Sequence, residues 1–360
     1  MKKNRYFIIA AIVLALIAVA LILSQSRTTF KRTLSDFAID DTSNVTKIFM
    51  ADKNNNTLKL TRIEPGKWMV NDKYPGQRLT VNMLLTTMLD LEVKEPVALT
   101  ARNTIIKQLA VNSVKVEIYQ WKFRINIFGK VKLFPHELLT KVYYVGGATQ
   151  SNRGTYMLME NSSEPFVTYL PGLRGFVSPR YMPIEKYWRD YKIFRKSFHE
   201  IASVKVQFPS NPELSYLVKN NHDKELSFIS LIDNREIPDY NTLRVMNFLT
   251  SFLKIDFEAL INDMDKHRKD SIISSPPFHI LTLTDTNGVS TTIKTYHKAA
   301  YPDAVDEKGR SIPYDLDRLY ALVNNGQDFT LIQFLVFDKI LRPKTYFLKE
   351  KKLNDYKFEH

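Results

Sequence analysis

The sequence predicts an α+β fold, in which an N-terminal transmembrane helix is followed by two tandem, related α+β modules with mostly antiparallel sheets. Three observations predict it: a 17-residue apolar run near the N-terminus, short alternating strands mixed with amphipathic helices, and recurrence of the same element order in the second half. The predicted boundaries are residues 1–26 for the cytoplasmic tip and anchor, 27–195 for the first module, 196–348 for the second module and 349–360 for a basic C-terminal tail.

The apolar run extends from Phe7 to Leu23, with Leu14 near its middle, and these residues form the predicted membrane anchor. At about 1.5 Å per residue, a helix of this length approaches the roughly 30 Å hydrocarbon core of a bilayer. Basic residues precede the run, so the short N-terminus is expected to stay in the cytoplasm and the bulk of the chain to lie on the far side of the membrane. A cleaved signal peptide is the alternative, but Ser24–Arg27 lacks a clean cleavage site.

Composition limits the classes of protein. With 360 residues, of which 44% are hydrophobic, the chain can bury the core of one large domain or of two ordinary ones. The absence of cysteine excludes disulfides, thiolate nucleophiles and Cys-ligated zinc. The net charge is +13, but residues 1–33 contain six basic residues and no acidic one. The remainder is only mildly basic, which argues against a nucleic-acid partner.

The first module combines short strands with two helices. A helix is predicted over Thr80–Leu91, where apolar residues recur at helical spacing, and a second one over Asn103–Leu109. The strands expected around these helices are Val45–Met50, Thr57–Ile63, Trp68–Val70, Ser113–Tyr119 and Lys141–Val145.

Residues 121–135 alternate apolar side chains with basic or polar ones. This pattern places Trp121, Phe123 and Ile125 on one face of a strand and Lys122 and Arg124 on the other. An ordinary half-buried strand pair is the favoured interpretation. A surface for lipid headgroups or for a protein partner is the alternative.

The second half repeats the pattern of the first. Leu85–Leu91 aligns with Leu249–Ile255 at an offset of 164 residues, and strands expected at Val204–Phe208 and Tyr216–Val218 match the first two strands of the first half. A duplicated module of about 150 residues is therefore expected, joined near Arg195. The alternative is that the two stretches share only generic amphipathicity.

Several segments resemble a known family. They are Phe37–Met50, Trp68–Pro75, Glu92–Val97, Tyr143–Tyr181 and Trp188–Phe194. Together they are similar to the domain of unknown function 4340 family, especially its forms from the Bacteroidetes. The resemblance is close through about residue 200 and fainter beyond it.

This resemblance implies a single-pass protein of a bacterial inner membrane with its C-terminal bulk in the periplasm. It also implies an accessory role beside the permease and auxiliary subunits of gliding-motility-type ABC transporters. The family carries no catalytic residues that could be transferred to this chain. At Tyr74–Arg78 the chain departs from the family's usual Tyr-Pro-Ala-Arg, with no clear consequence for function.

Between residues 174 and 196 the chain interleaves arginines and lysines with aromatic residues. Guanidinium groups beside aromatic faces can stack on each other or bind an anionic partner. One interpretation is a partner-binding surface, and the other is that the aromatic residues form a core between the two modules. The candidate partner surface consists of Arg174, Arg180, Tyr187, Trp188, Arg189, Lys192 and Arg195.

Gly146 and Gly147 are expected to form a structural turn, with close approach to a ligand as the alternative. The seven histidines show no metal-binding spacing, and no nucleophile elbow, phosphate loop or dinucleotide motif occurs. We therefore expect neither catalysis, nor a cofactor or metal, nor a small-molecule substrate. The chain is expected to be a membrane-anchored periplasmic accessory or scaffolding protein with integral-membrane partners. The alternative is an extracytoplasmic binding module for an anionic glycan or lipid headgroup.

Overall fold

The computed structural model describes residues 12–15, 18, 36–127, 131–221 and 226–349, and for 126, 127, 131 and 132 it describes the backbone alone. The chain divides into two compact units, Met1–Asp190 and Tyr191–His360, each with its own hydrophobic core.

The predicted fold class was wrong. The chain is mostly antiparallel sheet, arranged in three sheets with few helices, and not an α+β protein behind a transmembrane helix. In the part of the chain that the structure describes, no helix is long and apolar enough to cross a membrane. This finding contradicts the predicted single-pass anchor and the inner-membrane localisation that depended on it. Phe7 and Leu23 lie outside the described residues, and Leu14 belongs to a short described stretch of helix.

The first unit contains a nine-stranded sheet in which all neighbouring strands are antiparallel. Its strands are β1 (Val45–Ala51), β2 (Thr57–Glu64), β3 (Lys67–Val70), β4 (Tyr74–Pro75), β5 (Glu92–Pro96), β6 (Val114–Ile127), β7 (Val131–Ala148), β8 (Thr155–Met159) and β9 (Phe166–Tyr169). They are ordered β4-β3-β2-β1-β6-β7-β8-β9-β5.

Two helices accompany this sheet. α1 (Arg78–Asp90) buries Val81, Leu84, Leu85 and Met88, a spacing that places one helix face in the main core of the unit. α2 (Leu99–Asn112) buries only two side chains, which belong to a separate small cluster against β9. Both helices begin without a side-chain cap, so tertiary packing of the buried face stabilises them.

The second unit contains an eight-stranded and a two-stranded sheet. The large sheet has the order β13-β12-β11-β16-β17-β18-β19-β15, and β10 pairs with β14 in the small one. The strands are β10 (Lys192–Phe194), β11 (Ile201–Gln207), β12 (Tyr216–Lys219), β13 (Ser227–Ser230), β14 (Ile255–Asp256), β15 (Ala259–Leu260), β16 (His279–Asp285), β17 (Ser290–Ala299), β18 (Tyr314–Val323) and β19 (Asp328–Gln333).

The remaining helices are short. The α-helices of the second unit are α3 (Thr242–Thr250), α4 (Lys266–Ser274) and α5 (Phe334–Phe337). The 3-10 helices are Ser178–Tyr181 and Glu185–Tyr187 in the first unit, followed by Phe198–Glu200, Pro212–Leu214, Ser251–Leu253, Asn324–Gly326, Asp338–Ile340 and Lys344–Phe347 in the second.

The two large sheets have corresponding strand orders. β1, β2 and β3 occupy the positions that β11, β12 and β13 occupy in the second unit, and β6 to β9 correspond to β16 to β19. α1 and α3 both follow the first group of strands and precede the second. The repeated sequence, Leu85–Leu91 and Leu249–Ile255, falls at these two helices and the residues just after them.

Candidate functional site

A groove of about 360 Å³ lies on the first unit, between α1 and the segment that contains the 3-10 helices Ser178–Tyr181 and Glu185–Tyr187. We call it the α1 groove. It is lined by Thr80, Met83, Leu84, Pro179, Arg180, Met182, Tyr187 and Trp188.

One wall of the groove is the outer side of α1. Leu84 belongs to the buried face of the helix, whereas Met83 is about half exposed and faces the groove. Leu79, one turn earlier, is also exposed. The helix therefore has apolar residues on two sides, and only one of these sides is covered by the core.

The other wall is held in place by buried aromatic residues. Tyr181 and Trp188 are buried in the core of the first unit, and the Trp188 indole N–H donates to the Met182 carbonyl at 2.7 Å. Burial raises the pKa of Tyr181 to about 12, although the nearby Arg180 charge acts in the opposite direction. These contacts give the wall a defined position before any ligand arrives.

Among the described residues that line the α1 groove, Arg180 is the only charged one. Its Nη1 donates to Oγ1 of Thr87 at 2.7 Å, and the Thr87 hydroxyl donates in turn to the Met83 carbonyl at 2.7 Å. Among the described residues no carboxylate forms an ion pair with Arg180. The groove thus combines apolar contact surface with one oriented cation that has a neutral partner.

The structure brings together three of the seven residues of the predicted partner surface, because Arg180, Tyr187 and Trp188 all line the α1 groove. Arg189 is instead buried, and its guanidinium carbon lies 3.5 Å from the ring centre of Tyr74. It therefore packs inside the first unit and is not part of an exposed surface.

The other three predicted residues lie elsewhere. Arg174 is exposed and lines a different, shallow depression of the first unit. Lys192 is exposed on β10, and Arg195 pairs with Asp256 at 2.5 Å, both in the second unit. The aromatic residues of this stretch are divided between the two cores, since Trp188 is buried in the first unit and Phe194 in the second.

Gly146 and Gly147 lie within β7, where its register with β8 shifts, and do not form a turn. A Cβ atom on Gly146 would stand 2.4 Å from Cδ2 of Leu109 on α2, whereas one on Gly147 would meet nothing within 4 Å. Gly146 therefore allows close packing of α2 on the sheet. This packing explains the first glycine without a ligand.

The sequence prediction missed Thr87, Met83 and Met182. A signal for Met83 existed in the sequence, because it is an apolar residue on α1 outside the stripe that faces the core.

Within the described ranges, no group of histidine and acidic residues could hold a metal ion. Comparison with family models, curated proteins and solved structures found no match to this chain.

Proposed function

We propose that this protein is a non-catalytic accessory or scaffolding protein, and that the α1 groove binds a segment of a partner polypeptide. The observation that carries the proposal is Arg180, a cation with a neutral partner at the wall of an otherwise apolar groove. A guanidinium held by a hydroxyl keeps donor groups for a carboxylate, and its hydrogen bond to Thr87 fixes its direction.

The expected segment carries a large apolar side chain next to a carboxylate. The apolar side chain would cover the exposed parts of Met83, Met182 and Tyr187, which supplies affinity through area removed from water. The carboxylate would pair with Arg180, which supplies orientation. Pre-positioned walls reduce the ordering cost of binding, because Tyr181 and Trp188 already hold one side of the groove.

Selection of a randomised peptide library on the full chain tests this proposal. We expect the selected peptides to share an Asp or Glu adjacent to a Leu, Met, Phe or Trp. Arg180→Gln should weaken their binding by roughly tenfold to hundredfold, the effect of losing a hydrogen bond to a charged group. Fluorescence anisotropy with a labelled peptide measures the change.

Two further variants separate binding from folding. Met83→Glu places a negative charge at a half-exposed position and should repel the peptide while leaving thermal unfolding unchanged. Arg235→Gln, an exposed arginine of the second unit, is the matched control and should bind normally. Selected peptides without a carboxylate, or equal binding by Arg180→Gln, would contradict the proposal.

A second candidate function is binding of an anionic glycan. It is favoured by the shallow depression of about 630 Å³ where Lys94, Arg153 and Arg174 lie around Tyr169. Oligogalacturonate is a suitable probe, and Arg153→Gln together with Arg174→Gln should reduce its binding in calorimetry. Arg180→Gln should leave glycan binding unchanged, which distinguishes the two candidates.

A further inference from the structure

The first unit carries a two-stranded ribbon that extends beyond the sheet. β1 pairs with β6 only as far as Gln120, and β8 pairs with β7 only from Tyr143 onward. Between these limits, β6 and β7 continue to pair with each other up to Ile127 and Val131. We call the part of this hairpin from residue 121 to residue 139 the β6–β7 ribbon. Within the described chain no third strand lies beside it, and the Trp121 N–H at its base donates to the Asn44 carbonyl at 2.8 Å.

The β6–β7 ribbon has two chemically different faces. Phe123 stands opposite Pro135 and Ile125 opposite Leu133, and Trp121 shares this apolar face because side chains alternate along a strand. Lys122, paired with His136, and Arg124 belong to the other face. The ribbon is therefore amphipathic.

Two side chains of the apolar face are exposed to solvent, and Phe123 and Ile125 are half-buried. On the apolar face Trp121 is 47% exposed and Leu133 46%, whereas Phe134 lies on the face of Lys122 and Arg124 and is 64% exposed. Phe134 also has a φ of 56°, a left-handed conformation that is costly for a bulky residue. Arg124 and Phe134 are not among the paired residues of β6 and β7, although the residues on either side of them are paired. A two-stranded ribbon with a partly uncovered apolar face is marginally stable in water, so covering this face is favourable.

Charge indicates what covers the apolar face. Residues 121–136 contain four basic residues and no acidic one. Glu137, at the base of the ribbon, is already paired with Lys47 at 2.7 Å. A second copy of the ribbon would carry the same charge and be repelled. An anionic bilayer surface offers an apolar region for Trp121 and phosphate groups for the cations. The lysine and arginine side chains are long enough to place their charged ends among the headgroups.

We propose that the β6–β7 ribbon lies on the surface of an anionic phospholipid bilayer, with the Trp121 face at the boundary between headgroups and acyl chains. Lys122 and Arg124 contact the lipid phosphates. The ribbon binds at the bilayer surface and does not cross the bilayer. This contact is independent of the α1 groove and its proposed peptide.

The chain contains its own reporter for this contact. It has three tryptophans, of which Trp68 and Trp188 are buried in the core of the first unit. Addition of phosphatidylcholine vesicles that contain phosphatidylglycerol should therefore shift the emission of Trp121 to shorter wavelength. Lipids brominated on the acyl chains should quench it. Pure phosphatidylcholine vesicles should produce a much smaller shift.

Variants of the full chain test the contribution of charge. Lys122→Gln combined with Arg124→Gln should weaken the vesicle-dependent shift by roughly thirtyfold in lipid concentration, since each cation near an anionic surface contributes to binding. Lys219→Gln combined with Lys294→Gln, two exposed strand lysines of the second unit, is the matched control and should behave like the wild type. Each double variant removes two positive charges from the wild type, so a difference between the two variants depends on where these charges lie.

Three results would overturn the proposal. One is a Trp121 emission that does not respond to anionic vesicles. Another is a response that the Lys122→Gln and Arg124→Gln changes leave intact. The third is a shift that follows protein concentration without lipid, together with dimers in analytical ultracentrifugation, which would assign the ribbon to a second copy of the chain.

Discussion

His279 shows how one buried residue can link the stability of the second unit to pH. Its side chain is 3% exposed on β16, its Nδ1 lies 2.9 Å from Oγ1 of Thr295, and Phe208 and Phe278 pack against the ring. Burial lowers the pKa of His279 to about 4, and the charge of His297 acts in the same direction. The imidazole is therefore neutral in the folded protein at neutral pH.

The sign of the resulting pH dependence follows from the lowered pKa. An unfolded chain protonates this histidine near pH 6.5, whereas the folded protein does so only near pH 4. The unfolded state thus binds more protons between these values, and the free energy of unfolding falls as pH drops from about 6.5 to about 4. The loss attributable to His279 should reach roughly 3 kcal/mol.

His279→Leu should remove this contribution, because leucine keeps the apolar contacts and cannot be protonated. Urea unfolding at pH 7.5, 5.5 and 4.5 measures the change. His199→Leu, at an exposed position of the same unit, serves as the control and should retain the wild-type pH dependence. An unchanged pH dependence in His279→Leu would show that burial of this imidazole does not set the response.

Gly146 and Gly147 provide a matched pair of substitutions. Gly146→Ala would force Leu109 and the Tyr156 carbonyl to move, since a Cβ atom would stand 2.4 Å and 3.0 Å from them. We expect a loss of about 1–3 kcal/mol in the free energy of unfolding, typical of overpacking. Gly147→Ala, in open space, should change it by less than about 0.5 kcal/mol. Equal effects in denaturant unfolding would contradict the assigned role of Gly146.

At the level of elements, β6 is one strand with two different environments. Up to Gln120 it lies between β1 and β7, the Trp121 N–H donates to the Asn44 carbonyl, and beyond Trp121 only β7 pairs with it among the described residues. We expect the amides of residues 122–125 to exchange with solvent at least about tenfold faster than those of residues 116–118, because fewer buried contacts protect them. Hydrogen exchange read by mass spectrometry tests this, and uniform protection along β6 would contradict it.

Local periodicity located the helix of the α1 groove but not the groove itself. The helix predicted over Thr80–Leu91 is found at Arg78–Asp90, since its buried face repeats at helical spacing. The opposite wall comes from residues about a hundred positions later in the chain. Arg180 and Thr87, which bond at the groove, are 93 residues apart, and no spacing rule connects them.

At the scale of the whole molecule, strand pairing decided the fold class. The prediction treated the helices and the strands, which were three to seven residues long, as separate elements. Pairing joins these short strands into sheets of nine and eight, which makes the chain mostly antiparallel sheet. The repeated order could be anticipated because one helix sequence recurs, whereas the neighbours of each strand depend on contacts distant in sequence. The anchor prediction rested on one apolar run, and the described residues contain no helix that could span a membrane.

The α1 groove is proposed to bind a polypeptide segment through apolar contacts and the Arg180 cation. Methyl NMR of the ten methionines tests it most directly, because Met83 and Met182 line the groove and the exposed Met246 lies in the second unit. Titration with a selected peptide should shift the Met83 and Met182 signals and leave Met246 in place, and Arg180→Gln should require at least about tenfold more peptide. Shifts at Met246 with Met83 and Met182 unchanged would contradict the account.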